Sequence, residues 1–272
     1  MSDLNNLNIK KYLLENMISF HEFCEKHDLK YYLLGGTLLG AVRHQGFIPW
    51  DDDLDVAMSR KDYEKLLALT EKTPNGFELN SPEHTQNYIY PFAKFCSKKV
   101  IVEEPFYKPF ITGIWIDVFP LDYTFDNTLA QKFQFLLINF FKKFLILKTY
   151  AFKPSKRSVL TEKLAVFLSH LSQVVPFSLI YKVMYFLQVS LPNRFSNKKH
   201  LANFQGAWGI KESAPKTLFE NRILLSFEGK EFWAVKDFDF WLTKVYGDYM
   251  KLPPEEKRVP EHIGRIVEVK DK

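Results

Sequence analysis

The chain has 272 residues, 46% hydrophobic and 16% aromatic, with a formal net charge of +5. That length fits one large domain or a catalytic domain with a sizeable insertion, and the apolar content excludes general disorder. Two cysteines, Cys24 and Cys96, in no metal or redox spacing exclude a disulfide framework, and no uncharged run reaches the ~18–20 residues of a membrane span.

The opening MSDLNNLNIKK has no apolar run, so no signal peptide is expected there. From Asn8 to Asp28 the residues Ile9, Leu13, Met17, Phe20 and Cys24 share one stripe, which predicts an amphipathic helix covering a sheet. Tyr31 to Leu34 reads as a short strand running into Gly35-Gly36-Thr37. A short helix, Leu38 to His44, should follow, then a loop from Gln45 to Asp52. A second strand, Leu54 to Met58, carries Asp53 and Asp55 at its mouth. Strand side chains alternate faces, so these two carboxylates point one way while Leu54 and Val56 point into the core. Two carboxylates about 6–7 Å apart on one face repel unless a cation sits between them. Oxygen ligands suit Mg²⁺ or Mn²⁺. The paired glycines leave backbone N–H groups open to a phosphate. The plain alternative is a solvated acidic turn or a calcium-type loop; the flanking glycines and a second acidic strand downstream favour the metal.

Ser59 to Asp62 is a capping-box pattern that starts a helix through Leu69. Asn75-Gly76 signals a turn. Tyr88 to Phe95, Val100 to Glu103 and Gly113 to Phe119 read as strands, the last carrying Asp117. Residues 1–125 are therefore expected to form the catalytic core, 126–200 a helical insertion, and 201–272 a part that completes the site. Between Gln131 and His200 stand twelve Lys or Arg against one Glu, set among Phe and Leu. That segment is a helical subdomain with a merely basic face, or a peripheral membrane surface with Lys142, Lys143 and Lys148 facing anionic lipid. No base-reading motif supports nucleic acid as the partner. Past it, Arg222 to Phe227 and Lys230 to Val235 predict a hairpin, Asp237 to Tyr246 a short helix, and Tyr246 to Arg258 a rigid Pro-Pro loop bearing Lys251, Lys257 and Arg258.

Strand, Gly-Gly, short helix and a strand bearing Asp-x-Asp resemble the nucleotidyltransferase superfold, an α/β arrangement with a mixed sheet flanked by helices. The wording is more specific. GGTLLGAVRHQGFIPWDDDLDVAM, then IDVFPLD, then YGDYMKLPPEEKR closely resemble the LicD family of phosphotransferases, over roughly Tyr31 to Asp122 and Phe219 to Arg258. That family includes cholinephosphotransferases acting on lipopolysaccharide and teichoic acids and is related to fukutin-related proteins. The resemblance implies transfer of phosphocholine from CDP-choline to a hydroxyl of a lipid-linked or polymeric glycan, with CMP leaving; the basic, aromatic insertion leads us to expect the protein at the cytoplasmic face of a membrane. Transfer of another polyol phosphate or of a nucleotidyl group stays open. A binding protein that has lost catalysis is the other class; its mark would be a missing acidic ligand, and all three are present.

Asp53, Asp55 and Asp117 are expected to hold two divalent ions, with Asp117 the best general base. Asp51 and Asp52 belong to the motif as well, either touching the metals or holding Arg43 or His44. Gly35, Gly36, Thr37, Arg43, His44, Lys94, Lys257 and Arg258 are expected along the phosphates. Trp50, Trp115, Trp208 and Tyr107 are the aromatic faces available to a quaternary ammonium.

Overall fold

The first amphipathic stripe forms α1, Ile9–Lys26, which buries Leu13, Met17, Phe20 and Cys24. The computed structural model describes residues 9–86, 88–104, 106–150, 159–259, 263 and 265–270. The chain continues through β1 (Tyr31–Leu33), α2 (Gly35–His44), β2 (Asp55–Ser59) and α3 (Arg60–Leu67). Phe20 of α1 meets Tyr31 and Phe95 edge-on, with ring centroids 5.3 and 5.4 Å apart, which seats the helix on the sheet. Ser59 caps α3, its hydroxyl oxygen accepting from the Asp62 N–H, as the capping-box pattern requires. Helix α2 starts earlier than its apolar pattern predicts, because the glycines themselves form its first turn.

Next come β3 (Phe77–Asn80), β4 (Ala93–Glu104) and β5 (Phe110–Thr124). Of the two strands expected, Tyr88 to Phe95 and Val100 to Glu103, the first begins only at Ala93, with Tyr88 to Phe92 outside any strand, and both run on in the single long β4. Its register against β5 slips between Cys96 and Ile101, an irregularity that breaks the alternation a reader would follow. β5 runs past Pro120 to Thr124, since β2 lies parallel to it from Asp55 opposite Asp117 to Ser59 opposite Leu121. Asp122, beyond the expected strand end at Phe119, lies within β5 and receives Arg60 in a buried two-pronged pair at 2.7 and 2.6 Å.

The insertion is helical as its pattern predicts: α4 (Thr128–Lys148), α5 (Val159–Ser172), α6 (Phe177–Tyr185), a π-helical turn Phe186–Ser190, and α7 (Leu191–Phe195). Asn127 caps α4 by accepting from the N–H groups of Leu129 and Ala130. A second apolar core forms here, from Phe135, Ile138 and Leu145 of α4 with Ile180, Met184 and Phe204. Two of the three lysines expected to face lipid turn inward. Lys148 donates to the carbonyls of Ser172 and Gln173, and Lys142 to those of Phe204, Gln205 and Gly206. The carbonyls at the end of α5 and in the loop after β6 need donors, and these two side chains supply them. Lys143 is exposed, and Lys153, Lys156 and Arg157 lie outside the described residues.

The chain then returns to the sheet as β6 (His200–Asn203) and β7 (Ser213–Pro215), followed by the hairpin β8 (Arg222–Phe227) and β9 (Lys230–Val235), α8 (Phe238–Tyr246) and β10 (Arg265–Val269). The main sheet runs β1-β2-β5-β4-β10, with β3 beside β4, β6 beside β5 and β7 beside β6. This is a mixed sheet flanked by helices, in agreement with the sequence. Glu228 and Gly229 both take positive φ at the hairpin tip, the conformation a two-residue turn demands. Glu228 also accepts from the Phe47 N–H at 3.0 Å, so the hairpin pins the loop that leads to the acidic cluster.

Candidate active site

β2 and β5 are neighbours in parallel register, and that register sets Asp55 opposite Asp117. Asp53 lies two residues before Asp55 and comes to the same place. Each of the three offers an oxygen within 4.8 Å of the others. The backbone beneath them is fixed: the Asp55 N–H donates to Thr37 Oγ1 at 2.7 Å, Leu34 N–H to the Asp55 carbonyl at 3.0 Å, and Asp117 N–H to the Leu54 carbonyl at 2.8 Å. Thr37 thus serves the site from below, as a buried strap.

The two glycines have separate reasons. Gly35 has φ +56, and a Cβ there would stand 2.1 Å from Asp55 Oδ2; on Gly36 it would stand 2.2 Å from Asp51 Oδ2. Only glycine allows the first turn of α2 to lie this close to the carboxylates. Burial, then Asp53, Asp117 and Asp51, push the Asp55 carboxyl well above the usual carboxylate range. An all-oxygen cluster that pays this repulsion fits a hard divalent cation.

Lys94 is buried behind Asp117 rather than along a phosphate path. Its Nζ stands 3.4 Å from Glu104 Oε1 and 3.7 Å from Asp117 Oδ1, between the rings of Trp115 and Tyr90 at 3.7 and 3.8 Å. It offsets the repulsion within the cluster and fixes Asp117 from the rear. Trp115 therefore faces this lysine.

The carboxylates open onto a cleft of about 440 Å³ lined by Gly35, Gly36, Asp51, Asp53, Asp55 and Asp117 on one side. The segment after β6 and helix α8 complete it with Asn203, Gln205, Trp208, Glu212, Trp241 and Tyr246. Glu212 is buried, accepts from Asn203 Nδ2 at 2.7 Å and from the Trp208 N–H at 2.9 Å, and has its pKa raised mainly by burial. Trp208 packs edge-on against Tyr246, centroids 5.1 Å apart. Lys142 secures this wall from α4, its ammonium reaching three consecutive carbonyls at 3.1, 2.9 and 3.1 Å. Burial pushes that ammonium down to about 8. Glu212 escaped the sequence reading, while Lys142 and Tyr246 were read for the membrane face and the Pro-Pro loop rather than for this cleft. The segment around Glu212 has no periodicity, and only the return of β6 to β5 brings it to the triad.

The remaining expected residues form a different group. Arg43 Nε donates to His44 Nε2 at 3.0 Å and Arg43 Nη1 to the Tyr249 carbonyl at 2.8 Å, tying α2 to the Pro-Pro loop. Burial, then Arg43 and Lys10, hold His44 below its usual range, consistent with an acceptor Nε2. The Arg258 guanidinium lies 5.4 Å from the Trp50 ring centroid and donates through Nε to the Pro253 carbonyl at 2.8 Å. Lys257 is exposed on the turn Glu255–Lys257. Asp52 turns away from the cleft and accepts from the Ile263 N–H at 2.8 Å. Tyr107 stacks on Tyr150 at 6.2 Å. Of the four aromatic candidates, Trp208 lines the cleft.

Comparison with known proteins agrees with this layout. Residues 28–163 match the family model described as LicD/FKTN/FKRP, nucleotidyltransferase domain. The chain is 32% identical over 253 residues to the lipopolysaccharide cholinephosphotransferase LicD of Haemophilus influenzae, covering 90% of this chain and 91% of that protein. It is also 33% identical over 144 residues to an uncharacterised protein of Rickettsia prowazekii, covering 48% of this chain and 53% of that one. An uncharacterised protein of Rickettsia typhi matches at 32% over 130 residues, 45% of this chain and 39% of that protein.

Proposed function

As a member of the LicD/FKTN/FKRP nucleotidyltransferase family the chain is a transferase, and we propose that it moves phosphocholine from CDP-choline to a hydroxyl of a lipopolysaccharide-type surface glycan, releasing CMP. The observation that carries this is the composition of the cleft. It combines three clustered carboxylates with a buried acid, Glu212, beside the rings of Trp208 and Tyr246. A diphosphate and a quaternary ammonium need these two unlike environments. Aromatic faces attract such a cation by ~0.5–2 kcal/mol per ring.

Asp53, Asp55 and Asp117 would hold the metal, Mg²⁺ or Mn²⁺ and two ions in our reading, which supplies neutralisation of the diphosphate and acidifies an acceptor hydroxyl. The chain's own part is positioning and proton transfer. Gly35 and Gly36 line the cleft and let the first turn of α2 close on the carboxylates of Asp55 and Asp51. The acceptor oxygen attacks the phosphorus that carries choline, the bond from that phosphorus to the CMP oxygen breaks, and the hydroxyl proton passes to Asp117. Lys94 stabilises the charged form of that carboxylate from behind. Transfer of ribitol phosphate or of a nucleotidyl group on the same fold is the second reading, and the acidic, aromatic wall around Glu212 disfavours it, since a polyol carries no cation for that wall to bind.

A donor panel tests this. The protein with Mg²⁺ and acceptor glycolipid should release CMP from CDP-choline, and Trp208→Ala should raise KM for CDP-choline several-fold more than it lowers kcat. CMP release from CDP-ribitol with none from CDP-choline would move the protein to the second reading.

A further inference from the structure

The helical insertion leaves a long apolar stripe uncovered. On α4 the side chains of Leu129, Phe133, Leu136 and Phe140 are 74%, 60%, 64% and 61% exposed. At 3.6 residues per turn they fall within about 60° of the helix circumference. The opposite face of the same helix, Phe135, Ile138 and Leu145, is buried in the insertion's core. A helix with one buried and one bare apolar face has room for a second partner. Helix α5 repeats the arrangement: Ala165 and Ser169 are buried, while Leu164, Phe167 and Leu171 stand 55%, 59% and 55% exposed. Scattered surface leucines need no explanation, but two stripes on two helices that pack on each other do.

Charge chooses the occupant. Lys132 and Lys143 border the α4 stripe, Lys163 borders that of α5, and all three are exposed. Glu162 is the single acid among residues 128–199. Phe and Leu bordered by lysine suit a surface with an apolar interior and anionic head groups. We propose that α4 and α5 form the face by which this protein lies on an anionic bilayer, such as the cytoplasmic leaflet. The protein lies on the bilayer rather than crossing it. No single helix among the described residues is long and apolar enough to span, and the one bent pair that passes by length and composition, Thr161–Ser172 with Phe177–Phe195, meets at 91°. Within that pair Ile180, Met184 and Leu187 are buried against the protein. Lys142 adds a consequence: the helix that bears the stripe also holds the cleft wall at residues 204–206. A docked α4 would set the cleft at the membrane, where a lipid-linked acceptor resides.

Flotation of the full chain with vesicles tests the surface without any turnover, so its outcome is independent of the proposed reaction. Phosphatidylcholine vesicles with phosphatidylglycerol should carry the wild type to the top at low salt, less so at raised salt, and vesicles of phosphatidylcholine alone should carry less. Phe133→Ser/Leu136→Ser/Phe140→Ser should bind at least about tenfold more weakly with an unchanged melting temperature, these side chains being exposed. Lys132→Gln/Lys143→Gln should lose chiefly the dependence on phosphatidylglycerol. A wild type that never floats, or a triple variant that floats like it, overturns the proposal. So does a lipid-free dimer that the triple serine substitution dissolves while the wild type ignores vesicles, since the stripe is then a protein interface.

Discussion

A methyl group placed on Gly35 would stand 2.1 Å from Oδ2 of Asp55. Two residues twenty positions apart, each prominent in its own motif, therefore share one volume. The glycine also sits at φ +56, where an L side chain costs about 1–2 kcal/mol. Gly35→Ala should displace the Asp55 carboxylate, lower turnover at least ~100-fold and lower stability by a few kcal/mol at most. Initial rates and thermal melts with and without Mg²⁺ check this; an alanine variant with wild-type rate and metal response would separate the glycine from the acidic cluster.

Asp55 and Asp117 repel within a partly buried site. Asp117→Asn and Asp55→Asn should each abolish turnover while leaving the metal-free protein as stable as the wild type or more so. The rise in melting temperature that Mg²⁺ or Mn²⁺ gives the wild type should disappear in both. A variant with substantial rate at saturating Mg²⁺ would leave the catalytic set.

Lys94 compensates two carboxylates at once, Glu104 and Asp117. Removing it strands them in a buried setting, so Lys94→Met should destabilise by about 3–5 kcal/mol in urea unfolding. Adding Glu104→Gln should recover part of the loss. If the single variant is destabilised by much less than ~1 kcal/mol, the ion pairs do not operate as drawn.

Lys142 gives the pH prediction. Its ammonium is pushed down to about 8 by burial, against ~10.4 in an unfolded chain. Between those values the unfolded chain binds more protons than the folded one, so this group's contribution to stability rises with pH from about 8 to about 10. Lys142→Met should remove that slope. It should also cost about 1–3 kcal/mol at neutral pH, through the carbonyls of residues 204–206 left without a donor, and raise KM for the donor. Urea melts at several pH values and steady-state kinetics read both effects.

The acidic strand, the glycines and the insertion's helices were legible because each has a local signature: alternation, a pair of residues without Cβ, a helical stripe. Asp53, Asp55 and Asp117 come together as the motif suggests, whereas Thr37, expected along the phosphates, accepts from the Asp55 N–H. The short strands β3, β6, β7 and β10 were not legible, since three to five residues carry too little alternation to read. For the same reason Glu212 was missed: its proximity to the triad depends on β6 pairing with β5, a contact between Leu121 and Asn203 across the whole insertion. Lys142 and Lys148 show the limit of charge counting. A basic residue within a basic segment can be an internal donor, and only the hydrogen bonds tell which.

The proposed reaction is transfer of phosphocholine from CDP-choline at the carboxylate triad. Its most direct measurement follows phosphorus-31 resonances of CDP-choline with the wild type, Mg²⁺ and acceptor glycolipid. CMP should appear in step with a new phosphodiester on the glycan, and both signals should vanish with a chelator and in Asp117→Asn. Transfer that persists at the wild-type rate in Asp117→Asn, or CMP that forms with no phosphocholine on the glycan, would contradict it.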